Sequence, residues 1–346
     1  MKFVEYDQIY NFIKKVLIKN KVNTYTSSSV AKSLSDASLR GIDSHGIRLL
    51  NHYLNSFIQG RKNKNPKFKF TKKFPTIISL DANHASGIAA GFKAIEYSSK
   101  YAKKYGMCGV SVFNSSHPGA LSSITLEAIK HKLICIGFAN ADNLILSPGG
   151  KRAYFGTNPI SIVAPMSNNS FYCLDMAMSK ISWNKLMIIK DNNHKLNKDE
   201  AADKNGIATL LPNRAKSLLP IGDYKGFALA SAIEMMCSIY SGMPFGINID
   251  KMFEAPMSKK RKLSQFYILI RTDGVVTHKK FIRNLKQMSD QVRKEPFVKN
   301  KIMMPNDIQQ KNLILRKKKG IPVDISLSKV FDTIANKNNI KLKYLD

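Results

Sequence analysis

The sequence predicts an α/β protein. Its first sixty residues carry apolar positions at helical spacing, and from about residue 75 short β-rich runs alternate with helical stripes. No Gly-x-Gly-x-x-Gly occurs in the 346 residues. The common dinucleotide fold, in which such a turn lets backbone approach a pyrophosphate, is therefore not expected.

Met1-Lys2-Phe3-Val4-Glu5 opens an amphipathic helix on Ile9, Phe12, Ile13, Val16 and Leu17. Val30, Leu34 and Ala37 share the face of a second, and Gly41 suits its left-handed stop. Ile47, Leu50, Leu54 and Phe57 form a third stripe, closed by Gly60. Arg61 to Pro66 is a basic, turn-rich connection, after which Phe68, Phe70 and Phe74 alternate with lysines like an exposed strand. Thr76 to Leu80 reads as a strand, the stripe Ile88, Phe92, Ile95, Ser99 and Ala102 as a helix ending at Gly106, and Cys108 to Phe113 as a strand. A helix through Leu121, Ile124 and Ala128 precedes the strand Leu133 to Ala139. Ile160 to Ala164 and Tyr172 to Leu174 look like paired strands, while residues 190–216 are polar and loop-like. Phe227 to Ile239 is the most apolar helix, followed by a strand at Phe266 to Ile270. Two further helices are marked by Phe281, Leu285, Met288 and Val292, and by Leu327, Val330, Phe331 and Ile334.

A hydrophobic content of 44% suits a globular chain long enough for two domains. The N-terminus lacks the apolar region of a secretory signal. The run from Phe227 to Ile239, broken by Glu234, is too short to cross a bilayer. Cys108, Cys135, Cys173 and Cys237 stand far apart without metal-ligand spacing, so buried thiols, a cytoplasmic setting and no metal site are expected. The net charge of +31 invites a nucleic-acid reading, with possible phosphate-binding clusters at Arg61 to Lys73 and Arg316 to Lys319. The lysines are nonetheless spread along the whole chain and no reader motif accompanies them. Specific nucleic-acid binding is not expected; a field attracting anionic substrates is.

Two histidines stand where chemistry is plausible. Arg40-Gly41-Ile42-Asp43-Ser44-His45-Gly46 joins two helices, with Asp43 or Ser44 equally able to cap the second and His45 equally able to be a structural contact. His117 follows a strand and precedes a helix, beside Ser115, Ser116 and Gly119; ligands bind at such strand ends. Gly149-Gly150 and Gly156-Thr157-Asn158 offer backbone amides at turns, and Lys225 lies just ahead of a helix.

Together these segments give the chain a resemblance to the malate/L-lactate dehydrogenase family, NAD(P)-dependent 2-hydroxy-acid oxidoreductases that include ureidoglycolate and sulfolactate dehydrogenases and diketogulonate reductase. It rests on Arg40 to Gly46, Asn114 to Gly119, Pro148-Gly149-Gly150 with Gly156-Thr157-Asn158-Pro159, Asp175-Met176-Ala177, and Leu219-Pro220 through Tyr224-Lys225-Gly226. It runs from about residue 35 to 245 and returns near 300 to 335.

The resemblance implies the non-Rossmann fold of that family. A helical part (residues 1–74) would be joined by a C-terminal part (301–346), around a sheet-based cofactor domain (75–300), in a homodimer. By position, His117 and His45 would be catalytic, with proton transfer assignable to either. Ser44, Arg48, Tyr53 and Asp142 would bind substrate. The NAD or NADP cofactor would lie against Asp175, Met176, Ala177, Lys225, Gly156, Thr157, Asn158, Pro305 and Asn306. Many relatives have an arginine three residues after Gly46; that place is Leu49 here, and the nearest arginine is Arg48. Met178 stands for a frequent threonine and Asn306 for a frequent glycine.

The expected activity is hydride transfer between a nicotinamide and a small 2-hydroxy or 2-oxo carboxylate. An imidazole suits the accompanying proton, since its pKa lies near working pH. A cyclic imino acid reductase, or a basic binding protein of the same fold without catalysis, are the alternatives.

Overall fold

In a computed structural model, which describes residues 1–345, the chain begins with β1 (Lys2–Val4), α1 (Tyr6–Lys19), α2 (Thr24–Leu39) and α3 (Leu50–Ile58). β2 (Lys69–Phe74), β3 (Ile77–Asp81), α4 (Gly87–Tyr105), β4 (Met107–Ser115), α5 (Leu121–Thr125) and β5 (Leu133–Ala139) follow. Two short strands, β6 (Ile145–Leu146) and β7 (Ala153–Phe155), lead to the hairpin of β8 (Ile160–Pro165) and β9 (Phe171–Met176), then α6 (Trp183–Asp191). β10 (Ala201–Ala202), β11 (Ser217–Leu218), α7 (Tyr224–Glu234), β12 (Leu263–Arg271) and α8 (His278–Lys294) come next. The chain closes with α9 (Asp307–Lys319), β13 (Ile321–Val323) and α10 (Ile325–Asn338).

The main sheet has seven strands in the order β2-β3-β4-β12-β5-β8-β9. β3 and β4 run parallel, as the helical crossover α4 requires, and the other neighbours are antiparallel. β12 is drawn from late in the sequence and inserted between β4 and β5, so no local signal could have ordered the sheet. Its alternating residues Tyr267 and Leu269 bury with Val110, Val112 and Cys135 on one face, beneath Ala90, Ala94 and Ile95 of α4.

A second core joins the two ends of the chain. Ile9, Phe12, Ile13 and Leu17 of α1 pack with Leu34 of α2, Leu50 and Phe57 of α3, and Phe331 and Ile334 of α10. β1 pairs with β13 across this core, Lys2 opposite Val323. The first residues are therefore extended, and the helix expected from Met1 begins only at Tyr6. A strand of three residues has no periodicity to read; its partner lies at the other end of the polymer.

The remaining departures have similar causes. α6 lies partly within the stretch read as loop, and Leu186 is its one buried residue. α9 has no buried residue, hence no apolar stripe to recognise. The most apolar helix starts at Tyr224 and passes into a single wider, π-type turn at Met235–Ile239. All four cysteines are free and buried, and no helix is long and apolar enough to cross a membrane among the described residues.

Candidate active site

The corner between α2 and α3 is held before it presents anything. Gly41 takes φ +79°, a conformation glycine adopts without strain. Asp43 grips Arg316 of α9 with both carboxylate oxygens, at 2.6 and 2.8 Å, so it ties two elements together rather than capping a helix. Two 3₁₀ turns, Asp43–His45 and Ile47–Leu49, then lead into α3. The side-chain amide of Asn184 on α6 donates to the Ser44 carbonyl at 2.7 Å, and the Ser44 hydroxyl lies 2.9 Å from Nδ1 of His45.

His117 arrives from the carboxyl end of β4. Its ring stacks near-parallel to that of His45, with centroids 5.7 Å apart and planes inclined by 21°. Both histidines are partly exposed. Burial is the main force lowering both pKa values below the usual imidazole range. At His117 the charges of His45, Arg261, Lys62 and His52 push further the same way, whereas Asp175 opposes the fall at His45.

Tyr53 and Gly119 set the protonation pattern of His117. Its hydroxyl lies 2.9 Å from Nδ1 and 3.1 Å from the His117 carbonyl oxygen, and the Gly119 amide donates to Nδ1 at 3.3 Å. With Nδ1 accepting, a neutral ring carries its proton on Nε2. The Tyr53 hydroxyl can donate to Nδ1 or to the carbonyl, and in both cases the Gly119 amide keeps Nδ1 an acceptor and the proton on Nε2. Tyr53 is fully buried, and what it presents is its hydroxyl, turned to His117.

Two other expected substrate groups are also committed elsewhere. Arg48 is exposed and paired with Asp324 at the N-cap of α10. One residue along a helix is ~100° of rotation, and here that step puts Leu49 into the core and Arg48 on the outside. Asp142 is buried with both oxygens used, one by Arg261 and the other by the Met252 amide at 3.0 Å. It positions Arg261 instead of reaching outward.

The expected cofactor residues converge at the end of β9. Asp175 accepts from the Ser122 amide at 2.9 Å, and burial raises its pKa. Arg40, buried beneath, contacts Ser122 Oγ at 3.2 Å, Cys173 Sγ at 3.4 Å and Asn306 Oδ1 at 3.0 Å. It thus brings Pro305 and Asn306 to the strand that carries Asp175, Met176 and Ala177. Met178 donates to the Thr157 carbonyl at 2.8 Å and accepts from Ile221 at 2.9 Å, drawing the Gly156 turn and the Lys225 turn to the same place. Lys225 is exposed on the first turn of α7. Gly156 and Asn158 serve the frame: a Cβ on Gly156 would fall 2.3 Å from the Ala141 carbonyl, and the Asn158 amide is consumed by Ala141, Ala230 and Glu234.

This surface fits a nicotinamide nucleotide. It offers partly exposed residues at Thr157, Met176 and Ala177, the side-chain amide of Asn306, and an exposed ammonium at Lys225 for a phosphate.

Part of each basic cluster is withdrawn from the surface, while Lys67, Lys69, Lys72, Lys73 and Lys317 to Lys319 stay exposed. Arg61 and Lys62 are 1% and 2% exposed, and Arg316 is spent on Asp43 and the Ser38 carbonyl. Lys62, Arg261, Arg40 and Asn184 are the residues near the histidines that sequence reasoning missed. The doublet Arg61-Lys62 directly after a helix end was the one visible signal, and its burial was not. A cavity of about 440 Å³ lies elsewhere, between α1, α3 and α10, lined by Asn20, Asn51, Asn55, Lys337 and Asn338. It holds no histidine or carboxylate, so chemistry rather than concavity identifies the site.

The profile of the malate/L-lactate dehydrogenase family matches residues 4–331, more than the segments that carried the sequence resemblance. Ureidoglycolate dehydrogenase (NAD(+)) of Escherichia coli is 28% identical over 281 residues, covering 81% of this chain and 80% of that protein. Malate dehydrogenase of Entamoeba histolytica superposes with a TM-score of 0.93 at 25% identity, covering 99% of each chain. Sulfolactate dehydrogenase of Methanocaldococcus jannaschii gives 0.90 at 28% identity, covering 98% of each.

Proposed function

The chain belongs to the malate/L-lactate dehydrogenase family, and from that membership we propose that it transfers a hydride between NAD or NADP and a small 2-hydroxy or 2-oxo carboxylate. The observation that carries this reading is the meeting of His45 and His117, 5.7 Å between ring centroids, beside the strand end that bears Asp175.

The nicotinamide, when bound, supplies or receives the hydride. The protein's task is the proton and the orientation. His117 is the proton-transfer residue: its Nδ1 accepts from the Gly119 amide beside the Tyr53 hydroxyl, leaving Nε2 for the substrate oxygen. His45, held through Nδ1 by Ser44, lines the opposite side. Asp175, Met176, Ala177, Asn306 and Lys225 hold the cofactor, Lys225 at its phosphates.

The chain acts as a homodimer. Leu229, Met235, Ile239 and Tyr240 form an apolar stripe on α7 and its wider turn, each 41–55% exposed, which a second copy would cover. Four free thiols suit the cytoplasm.

A spectrophotometric screen of 2-oxo acids with NADH and NADPH tests the activity, with oxidation of one nucleotide expected. Turnover of cyclic imino acids alone would move the reading to C=N reduction. Nucleotide binding with no turnover on either class would leave only a binding protein.

A further inference from the structure

Beside His117 the protein buries more positive charge than it neutralises. Arg61, Lys62 and Arg261 are each under 5% exposed. Arg261 has Asp142 and the Asp250 carbonyl, and Arg61 takes the carbonyls of Met252, Ala255 and Pro256. The Asp250 carboxylate is occupied at the surface by Lys259. Lys62 has nothing: its amino group is buried without a hydrogen-bond partner, resting 3.2 Å above the centre of the Tyr53 ring. Burial, with the charges of Arg261 and Arg61, holds its pKa well below the usual lysine range until an anion arrives. A cation–π contact offsets part of the desolvation of an ammonium, but none of its three donors is used. Buried charges without a partner are expensive, and such a group persists where something else completes it.

The position says what completes it. The ring under Lys62 is the one whose hydroxyl holds His117, so a single tyrosine separates the free amino group from the imidazole. His52, half-buried against Tyr53 and Phe253, faces the same cations, and their charges help to lower its pKa. Arg48 does not join this cluster of cations, being paired with Asp324.

We propose that Lys62, backed by Arg261, is the anchor of the substrate carboxylate, its flexible stem carrying the ammonium off the Tyr53 ring to meet the anion. The ligand class is a small carboxylate whose reacting carbon then lies toward His117. The inference rests on the reading of this site as one for 2-oxo acids. It adds a consequence: the bound anion offsets the cations that press on His117, so the imidazole gains proton affinity when substrate is present.

The test is titration calorimetry of oxalate into the enzyme saturated with NADH, for the wild type, Lys62→Met and Lys62→Arg. Oxalate is expected to bind at least ~10-fold more weakly to Lys62→Met, the scale of a lost charged hydrogen bond, and partly to recover with Lys62→Arg. NADH affinity should not change, and unliganded Lys62→Met should melt no lower than the wild type. Equal oxalate affinity in wild type and Lys62→Met overturns the proposal. So does a lower melting temperature, which would make the ammonium a structural contact of Tyr53. Oxalate binding that depends on Lys62, in a protein that turns over no 2-oxo acid, would keep this anchor and discard the proposed activity.

Discussion

The Tyr53 hydroxyl stands 2.9 Å from Nδ1 of His117 and 3.1 Å from the carbonyl oxygen of the same residue. The buried phenol, with the Gly119 amide that donates to the same Nδ1, therefore helps to keep the imidazole proton on Nε2. Tyr53→Phe keeps the packing and removes the phenol's share. It is expected to lower kcat ~10-fold, as for one lost hydrogen bond, with little change in KM. A KM that rises while kcat holds would show a substrate contact instead.

The two histidines should behave alike in direction. His117→Ala and His45→Ala are expected to slow reduction of a 2-oxo acid at least ~10²-fold, the usual scale for a lost acid–base group. Nucleotide binding, followed by fluorescence, should survive. Near-normal turnover in both variants would remove proton transfer from this pair.

Arg48 makes the opposite prediction. Its partner Asp324 is exposed with it. Exposed pairs of this kind contribute less than about 1 kcal/mol. Arg48→Ala should leave KM for the acid within about twofold, by that scale, and shift the melting temperature little. A large rise in KM would restore it as the carboxylate anchor.

Lys225 is exposed and outside any packed core, so Lys225→Ala should fold normally. Its expected effect is an increase in the nucleotide dissociation constant of ~10-fold, the loss of one charge-assisted contact. An unchanged constant takes it out of the cofactor site.

Stability should fall with acidification. The folded pKa values of His45, His52 and His117 lie below the unfolded value near 6.5, His52 at about 3. Between those limits the unfolded chain binds more protons. The contribution is therefore present above pH ~6.5 and is lost as pH falls toward the folded values. Asp175 and Glu234, raised by burial, act in the reverse sense at the acid end. Melting temperatures measured from pH 7.5 to 5 should decline; a flat profile would contradict the depressed histidines.

Local signals made much of this molecule legible. The stripe from Ile88 to Ala102 became α4, Leu133–Ala139 is strand β5 to the residue, and Gly41 does end a helix with positive φ. His45 and His117 could be singled out because each sits at an element boundary, where backbone turns leave side chains free. Elements without a buried stripe or a local partner could not be read: α9 has no fully buried residue, and β1 exists because β13 pairs with it.

The order of residues determined an α/β chain without a glycine-rich nucleotide turn, and it named two imidazoles and the segments around them. Tertiary structure alone decided what each charged side chain is for. Arg48 faces Asp324, Asp142 serves Arg261, and Lys62 is drawn inside with no partner. The reason is that a side chain's charge is local to the sequence, whereas its burial and its counter-charge come from residues far away along the chain.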